Sequence, residues 1–333
     1  MSIRIIKAGF ADTVQDLGRY GFQHLGINPG GAMDAVAAQV ANMLTGNDIY
    51  EAVIEFHFPA SSIMFEKDCL IAISGADFGV TTNHQSIPLN TPVIVAKKSV
   101  LEFSKYISGC RCYLAVRNGI DIPLWLNSYS THVKAHAGGY KGRILHKDDL
   151  LITRKSASYQ SVLKKNRHDV LHWKADVAEF YQQPNIIRIC TGKEYGELTD
   201  QSKSLLTTAD FLVTPHSDRM GYRLVSVILQ RNQNTEIISS AVTRGVIQLF
   251  PNGQLVILMA DHQTAGGYPV IAHVISADMP KLAQLNSNQT IQFQMIEAAG
   301  AEDLLWQQYQ HLHQLQNACN LRLEEYFLHH ALY

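Results

Sequence analysis

The sequence is poor in cysteine, in net charge and in long apolar runs. Its 333 residues include five cysteines, Cys69, Cys110, Cys112, Cys190 and Cys319. That odd, scattered set is no disulfide framework, and Cys110-Arg111-Cys112 matches no common zinc spacing. It predicts reduced thiols of the kind kept in the cytoplasm. Formal net charge is −1, which excludes the basic footprint of a nucleic-acid or membrane-surface protein. No apolar run approaches the ~20 residues of a membrane span. The opening Met1-Ser2-Ile3-Arg4-Ile5-Ile6-Lys7 is too short and too charged for a signal peptide. The Gly-Lys-Ser/Thr ending of a P-loop is missing, and so is the Gly-x-Ser-x-Gly elbow of a serine hydrolase.

What is present is globular: 46% hydrophobic and 17% charged residues. The length predicts two domains. Short β-branched and aromatic runs fill the first half, such as Cys69–Ile73, Pro92–Ala96 and Cys112–Val116, with a hairpin turn at Asn83–Ser86. Strand runs resume at Asn185–Ile189, Thr235–Ser239, Val246–Phe250, Leu255–Met259 and Thr290–Gln294, with a turn at Pro251-Asn252-Gly253. An early helix follows Asp34 and stops at Gly46, and a late one is expected over about 301–318 with Leu304, Leu305, Tyr309, Leu312 and Leu315 inward. A basic, Ser- and Gln-rich stretch separates the halves, with some helical spacing over Asp169–Tyr181 before Pro184. These signals predict a mainly β protein with a few helices, divided as 1–153, a partly helical linker 154–184, and 185–333 with the C-terminal helix.

Polar, glycine-rich blocks carry the candidate chemistry. The densest holds Gln15, Asp16, Arg19, His24, Gly30, Gly31 and Asp34. Glycine admits positive φ and close backbone approach, so Gly30-Gly31 is a candidate anion nest ahead of the helix, and Asp34 is a candidate N-cap. Asp77 ends an apolar strand, where an active-site carboxylate and an Asx turn are both common. Lys134 and Arg143 bracket the Gly138-Gly139 loop, able to hold a carboxylate or phosphate. His132 and His136 share a helical spacing but lack a third metal ligand. Two further blocks are Ser217-Asp218-Arg219-Met220-Gly221-Tyr222 and Asp261-His262-Gln263-Thr264-Ala265-Gly266-Gly267-Tyr268-Pro269. The second follows an apolar strand directly, which places its side chains at a rigid strand end. Ser276–Leu282 reads as a helix start, with Ser276 or Asp278 as cap and Pro280 in the first turn.

Together, Thr13–Asp34, Ser74–Asp77, Tyr113–Val116, Ser128–Arg143, Ser217–Leu224, Asp261–Pro269 and Ser276–Leu285 resemble, in order, the biotin-dependent carboxyltransferase-like, or allophanate hydrolase subunit 2, family. Its bacterial members include the C component of 5-oxoprolinase. The resemblance implies two cyclophilin-like β-barrel domains. It implies ATP-driven opening of 5-oxo-L-proline to L-glutamate, with Mg²⁺ and with partner subunits A and B. Under it, Asp77, Asp218, Asp261 and His262 are the candidate catalytic residues. Asp16, Arg19, Gly30, Gly31, Lys134, Arg219, Gln263 and Tyr268 are the candidates for binding substrate or phosphate. The alternatives it carries are a carboxyltransferase that draws on biotin from another protein, and a non-enzymatic regulator that binds a kinase-inhibitor partner. The sequence departs from the family at Asn28-Pro29-Gly30-Gly31, His57-Phe58-Pro59, His136, Ser239–Val242 and His262, where arginine is common.

Overall fold

The computed structural model describes residues 2–154, 159–163, 168–233 and 237–330. The strand-forming runs build three main sheets. Two have six strands each, ordered Leu150–Ile152, Ser2–Lys7, Ser62–Phe65, Val100–Phe103, Val80–Thr82, Gln85–Ser86, and His168–Val170, Pro92–Val95, Cys69–Asp77, Ser108–Val116, Val53–Phe56, Thr13–Gln15. Ile3, Ile5, Ile63, Phe65 and Leu101 of the first sheet share one core with Ile54, Phe56, Ile71, Val93 and Leu114 of the second. The third sheet closes into a seven-stranded barrel: Ile186–Thr191, Val270–Val274, Val246–Leu249, Leu255–Leu258, Gly221–Val225, Phe211–Val213 and Thr290–Met295. Closure removes the exposed edges that an open sheet must protect. A separate ribbon pairs Ser240–Ala241 with Ala265–Gly266. The fold is mainly β, as expected.

The turns follow local chemistry. Asn83 and His84 both take positive φ between Thr82 and Gln85, the geometry a two-residue hairpin demands. Asp34 accepts the amide of Ala37 at 3.0 Å and starts the helix Ala35–Thr45, and Gly46 ends it in the left-handed region at φ 68°.

The chain divides into two compact units. One holds Met1–Gly18, Asp34–Val177 and Gln310–Tyr333, and the other Arg19–Met33 and Ala178–Tyr309. This division differs from the sequence-based boundaries in three places. Arg19–Met33 leaves the first half for the second unit. Most of the expected linker stays with the first unit, where His168–Val170 pairs with Pro92–Val95. The expected helical stretch Asp169–Tyr181 contributes that strand and only a short 3-10 turn, Ala178–Tyr181. The late helix runs Ala298–His330, beyond its expected end. It buries Leu312, Cys319, Leu323 and Phe327, while Tyr309 is exposed. Its last part belongs to the first unit, where Leu323 and Phe327 pack with Leu70, Ile94 and Leu171. The expected strand Thr235–Ser239 begins outside the described residues, and its described part is not strand. No helix among the described residues is long and apolar enough to cross a membrane. The five cysteines are free thiols.

Candidate functional site

One polar cluster of the second unit gathers the largest share of the candidate residues. Asp261 emerges after the strand Leu255–Leu258, and Arg219 precedes the strand Gly221–Val225 that pairs with it. The backbone amide of Asp261 donates to the carbonyl of Arg219 at 2.7 Å. The side chains then close on each other: Arg219 Nε lies 2.8 Å from Asp261 Oδ2 and Nη2 lies 3.1 Å from Oδ1. Two parallel contacts to one carboxylate give the pair orientation as well as attraction. The same Nη2 donates to the carbonyl of Gly31 at 2.6 Å.

Arg244, just ahead of the strand Val246–Leu249, continues that grip. It donates to the carbonyl of Ala32 at 3.2 Å and to that of Met33. Three successive carbonyls of the glycine-rich loop are therefore held by two arginines. The loop also brings Arg19 to Asp261. A Cβ on Gly30 would lie 2.9 Å from Arg19 Nη1 and 3.7 Å from Asp261 Oδ1, at a φ of 62°. Only glycine fits that position without strain. Arg19 is itself 1% exposed.

His262 and Gln263 stand beside the ion pair. His262 Nδ1 lies 2.5 Å from the carbonyl of Gln263, and the side-chain amide of Gln263 donates to Gln248 Oε1 at 3.4 Å. Burial pulls His262 below the ordinary imidazole value, and Arg244 adds to the shift, while the Gln263 carbonyl and Asp261 oppose it. Tyr268 stacks on Phe250, ring centres 4.5 Å apart. Both rings line a cleft of about 570 Å³ with Ile228, Pro251 and Pro269.

The remaining candidates have other surroundings. Asp16 belongs to the first unit, where its carboxylate accepts the hydroxyl of Ser128 at 2.7 Å, that of Ser130, and the amides of Tyr129 and Gly18 at 2.6 and 2.8 Å. It locks two loops together. Asp77 accepts the amide of Gly79 at 2.8 Å, an Asx turn. Asp218 is exposed and accepts the amides of Met220 and Gly221, so the partner of Arg219 is Asp261 and not its sequence neighbour. Lys134 is exposed, and Arg143 is bound to Asp149 through two bonds of 2.6 and 2.7 Å. The glycines of that block answer to packing: a Cβ on Gly139 would collide with Thr131 Oγ1. His132 and His136 flank a three-residue 3-10 turn instead of sharing a helical face. Asp278 precedes Met279–Ala283 but makes no side-chain cap. It is fully buried against Arg188 at 2.5 Å and Lys281 at 3.0 Å.

Sequence reasoning passed over Arg244 and Gln248. The available signal was a single glutamine inside the apolar run Val246–Phe250, preceded by Arg244-Gly245. Gln248 proves to be 1% exposed. Among the described residues, no three His, Cys, Asp or Glu side chains group as metal ligands do. Asp77 gives one carboxylate oxygen to its own turn and Asp261 gives both to Arg219, and among the described residues neither has the further acidic neighbours of a ligand set for Mg²⁺.

Residues 25–295 match the family described as carboxyltransferase domain, subdomain A and B. The C component of 5-oxoprolinase from Escherichia coli is 36% identical over 87% of this chain and 90% of its own length. That of Haemophilus influenzae is 33% identical over 91% and 94%. In structure, the urea carboxylase of Kluyveromyces lactis superposes with a TM-score of 0.85 at 25% identity, covering 94% of this chain and 29% of that one.

Proposed function

The chain belongs to the family of carboxyltransferase subdomains A and B, and from that premise we propose that it serves as the C component of a 5-oxoprolinase. The observation that carries this reading is length. The 36% identity to a protein of that name extends over 87% of this chain and 90% of the relative. The urea carboxylase likeness involves 29% of a much longer chain.

In this reading the complex, with subunits A and B, opens 5-oxo-L-proline to L-glutamate at the expense of ATP. A lactam is a stable amide. Transfer of the γ-phosphoryl group of ATP to its oxygen, with ADP leaving, activates the ring carbon. One water adds there and the C–N bond breaks with the nitrogen taking a proton. A second water then displaces phosphate from the resulting acyl phosphate. ATP and Mg²⁺ supply that activation, and this reading leaves both to the partner subunits, since the described residues of this chain offer Mg²⁺ no ligand cluster. This chain would contribute a cationic wall: Arg19 and Arg219, braced by Asp261 and by the Gly30-Gly31 loop, suit the substrate carboxylate or the phosphorylated oxygen. His262 and Gln263 stand beside it, while Tyr268 lines the cleft it shares with Phe250. Asp77, Asp218, Asp16 and Lys134 receive no step.

The test is reconstitution. The chain is purified with its A and B partners and glutamate release from 5-oxo-L-proline is followed with and without ATP. The expected result is ATP-dependent release that needs all three proteins and falls by about 10²-fold in Arg219→Ala. Release that proceeds at full rate without this chain would sink the proposal. A second reading, transfer of a carboxyl group from carboxybiotin, is favoured by the urea carboxylase superposition. It predicts activity that avidin abolishes.

A further inference from the structure

Two buried side-chain atoms beside the ion pair have no hydrogen-bond partner: His262 Nε2 and Gln248 Nε2. Both residues are 1% exposed. An unsatisfied buried polar atom carries a desolvation penalty of about 1–3 kcal/mol, so two in one connected group call for an explanation.

The group is connected through Gln263. Its main-chain carbonyl meets His262 Nδ1, and its side-chain amide meets Gln248 Oε1. A carbonyl only accepts, so the His262 contact fixes the proton on Nδ1. In the neutral ring Nε2 then holds a lone pair and is an acceptor. The fall of the His262 pKa through burial keeps the ring neutral. On the other side, Gln248 Oε1 is taken by Gln263, which leaves its NH₂ as donor. One end of the chain is thus an acceptor and the other a donor.

Lying against it is the ribbon of Ser240–Ala241 and Ala265–Gly266. A Cβ on Gly266 would sit 2.6 Å from Gln248 Nε2 and 3.5 Å from Gln263 Nε2. The ribbon is only two residue pairs long, and Ser240, Ala241 and Ala265 are exposed. One further bond, from the amide of buried Val242 to the carbonyl of Thr264 at 3.1 Å, ties the base of the ribbon, so the two short pairs beyond it are the part able to open.

We propose that His262 and Gln248 are specificity-determining residues that read the edge of a cyclic amide, His262 Nε2 accepting its N–H and Gln248 donating to its C=O, beneath a ribbon that lifts to admit it. A lactam carries its N–H and C=O side by side on one edge, the complement of this pair. The inference rests on the amide-opening reading for its natural ligand. It makes His262, one of the candidate catalytic residues, a neutral acceptor.

The probes are 2-pyrrolidinone, which has both groups, and N-methyl-2-pyrrolidinone, which has lost the donor. Histidine-¹⁵N-labelled full-length chain is titrated with each, with the His262 ring signals assigned from His262→Asn. The expected result is an Nδ1-protonated ring whose Nε2 signal moves with 2-pyrrolidinone, and binding of the N-methyl lactam weaker by about tenfold or more. Gln248→Leu weakens 2-pyrrolidinone by a similar factor, and so does Gly266→Ala, which pushes on the amide. Thermal melts of these two variants report whether the fold is kept. Equal affinity for the two lactams, an Nε2-protonated ring, or a His262 signal that neither lactam moves overturns the inference. ATP-dependent glutamate release in the reconstituted complex tests the functional reading separately, because it needs no preference between the two probes.

Discussion

Arg219 and Asp261, 42 residues apart, meet through Nε–Oδ2 and Nη2–Oδ1 contacts of 2.8 and 3.1 Å with side chains only 15% and 10% exposed. A pair this sheltered is expensive to break from one side, because the survivor is left charged in a poorly solvated place. Arg219→Ala is expected to lose about 3 kcal/mol of stability, the lower end for buried pairs, since neither partner is fully enclosed. Asp261→Ala should lose a similar amount. The double variant should lose clearly less than the sum, and denaturant unfolding of the four proteins measures that coupling. Strict additivity would mean that the contact carries no energy.

Gly30 and Gly26 separate backbone strain from crowding. Both take positive φ, 62° and 78°, but a Cβ on Gly26 meets nothing within 4 Å while one on Gly30 meets Arg19 Nη1 at 2.9 Å. Gly26→Ala therefore carries only the left-handed penalty, about 1–2 kcal/mol. Gly30→Ala should lose more, and it should also displace the Arg19 guanidinium from beside Asp261. Unfolding midpoints give the first comparison. Reconstituted activity gives the second, with a fall expected for Gly30→Ala alone.

The local parts of this fold were legible. The helix Ala35–Thr45 announced itself through Asp34, its apolar stripe and Gly46, all within a dozen positions. Strand runs such as Leu255–Leu258 did so through unbroken β-branched and aliphatic residues. What escaped depends on partners far along the chain. Arg19–Met33 belongs to the second unit, where Arg219 and Arg244 hold its carbonyls from about 190 to 210 positions away. Nothing near residue 31 encodes that. Asp278 looked like a cap because its sequence neighbours are those of a helix start, yet Arg188, 90 positions earlier, claims its carboxylate. Gln248 stood unremarked inside the strand run Val246–Phe250, because the groups against it, Gln263 and Gly266, lie on a later segment. The late helix showed its period and most of its inward face, with Leu312 buried, Leu304, Leu305 and Leu315 partly so and only Tyr309 exposed, but not its length, because Leu70, Ile94 and Leu171 hold the last turns through Leu323 and Phe327.

Asp278 gives an acid-side prediction. Burial alone would raise its pKa, but the hydrogen bonds from Arg188 and the charge of Lys281 outweigh that and hold it below the ordinary carboxylate value. A depressed folded-state pKa contributes stability that is present above the unfolded value near 4 and is lost as pH falls through the folded one. Asp278→Asn should therefore be less stable than the parent at neutral pH, by about 3 kcal/mol given two cations left facing a neutral amide. The gap should narrow steadily as pH drops below about 4. Parallel unfolding curves across that range would show the carboxylate to be energetically idle.

Asp12 predicts the opposite slope. Its carboxyl is 1% exposed, and burial raises its pKa to about 6, with a smaller push from Glu55 and opposition from its bonds to Ser61 and His57. The amides of His57 and Ser61 donate to it at 2.8 and 2.6 Å. Between the unfolded value near 4 and about 6, the folded chain binds more protons than the unfolded one. Its contribution is therefore fully present below the unfolded value and declines as pH rises through the folded one, by about 3 kcal/mol in all. Asp12→Asn cannot ionise. Its Oδ1 can still accept one of the two amides, so some stability is lost at low pH. The difference between parent and variant should shrink, or reverse, as pH is raised from about 4 to 7. Denaturant unfolding at a series of pH values measures it, and a difference that stays constant across the window would place the Asp12 carboxyl at an ordinary pKa.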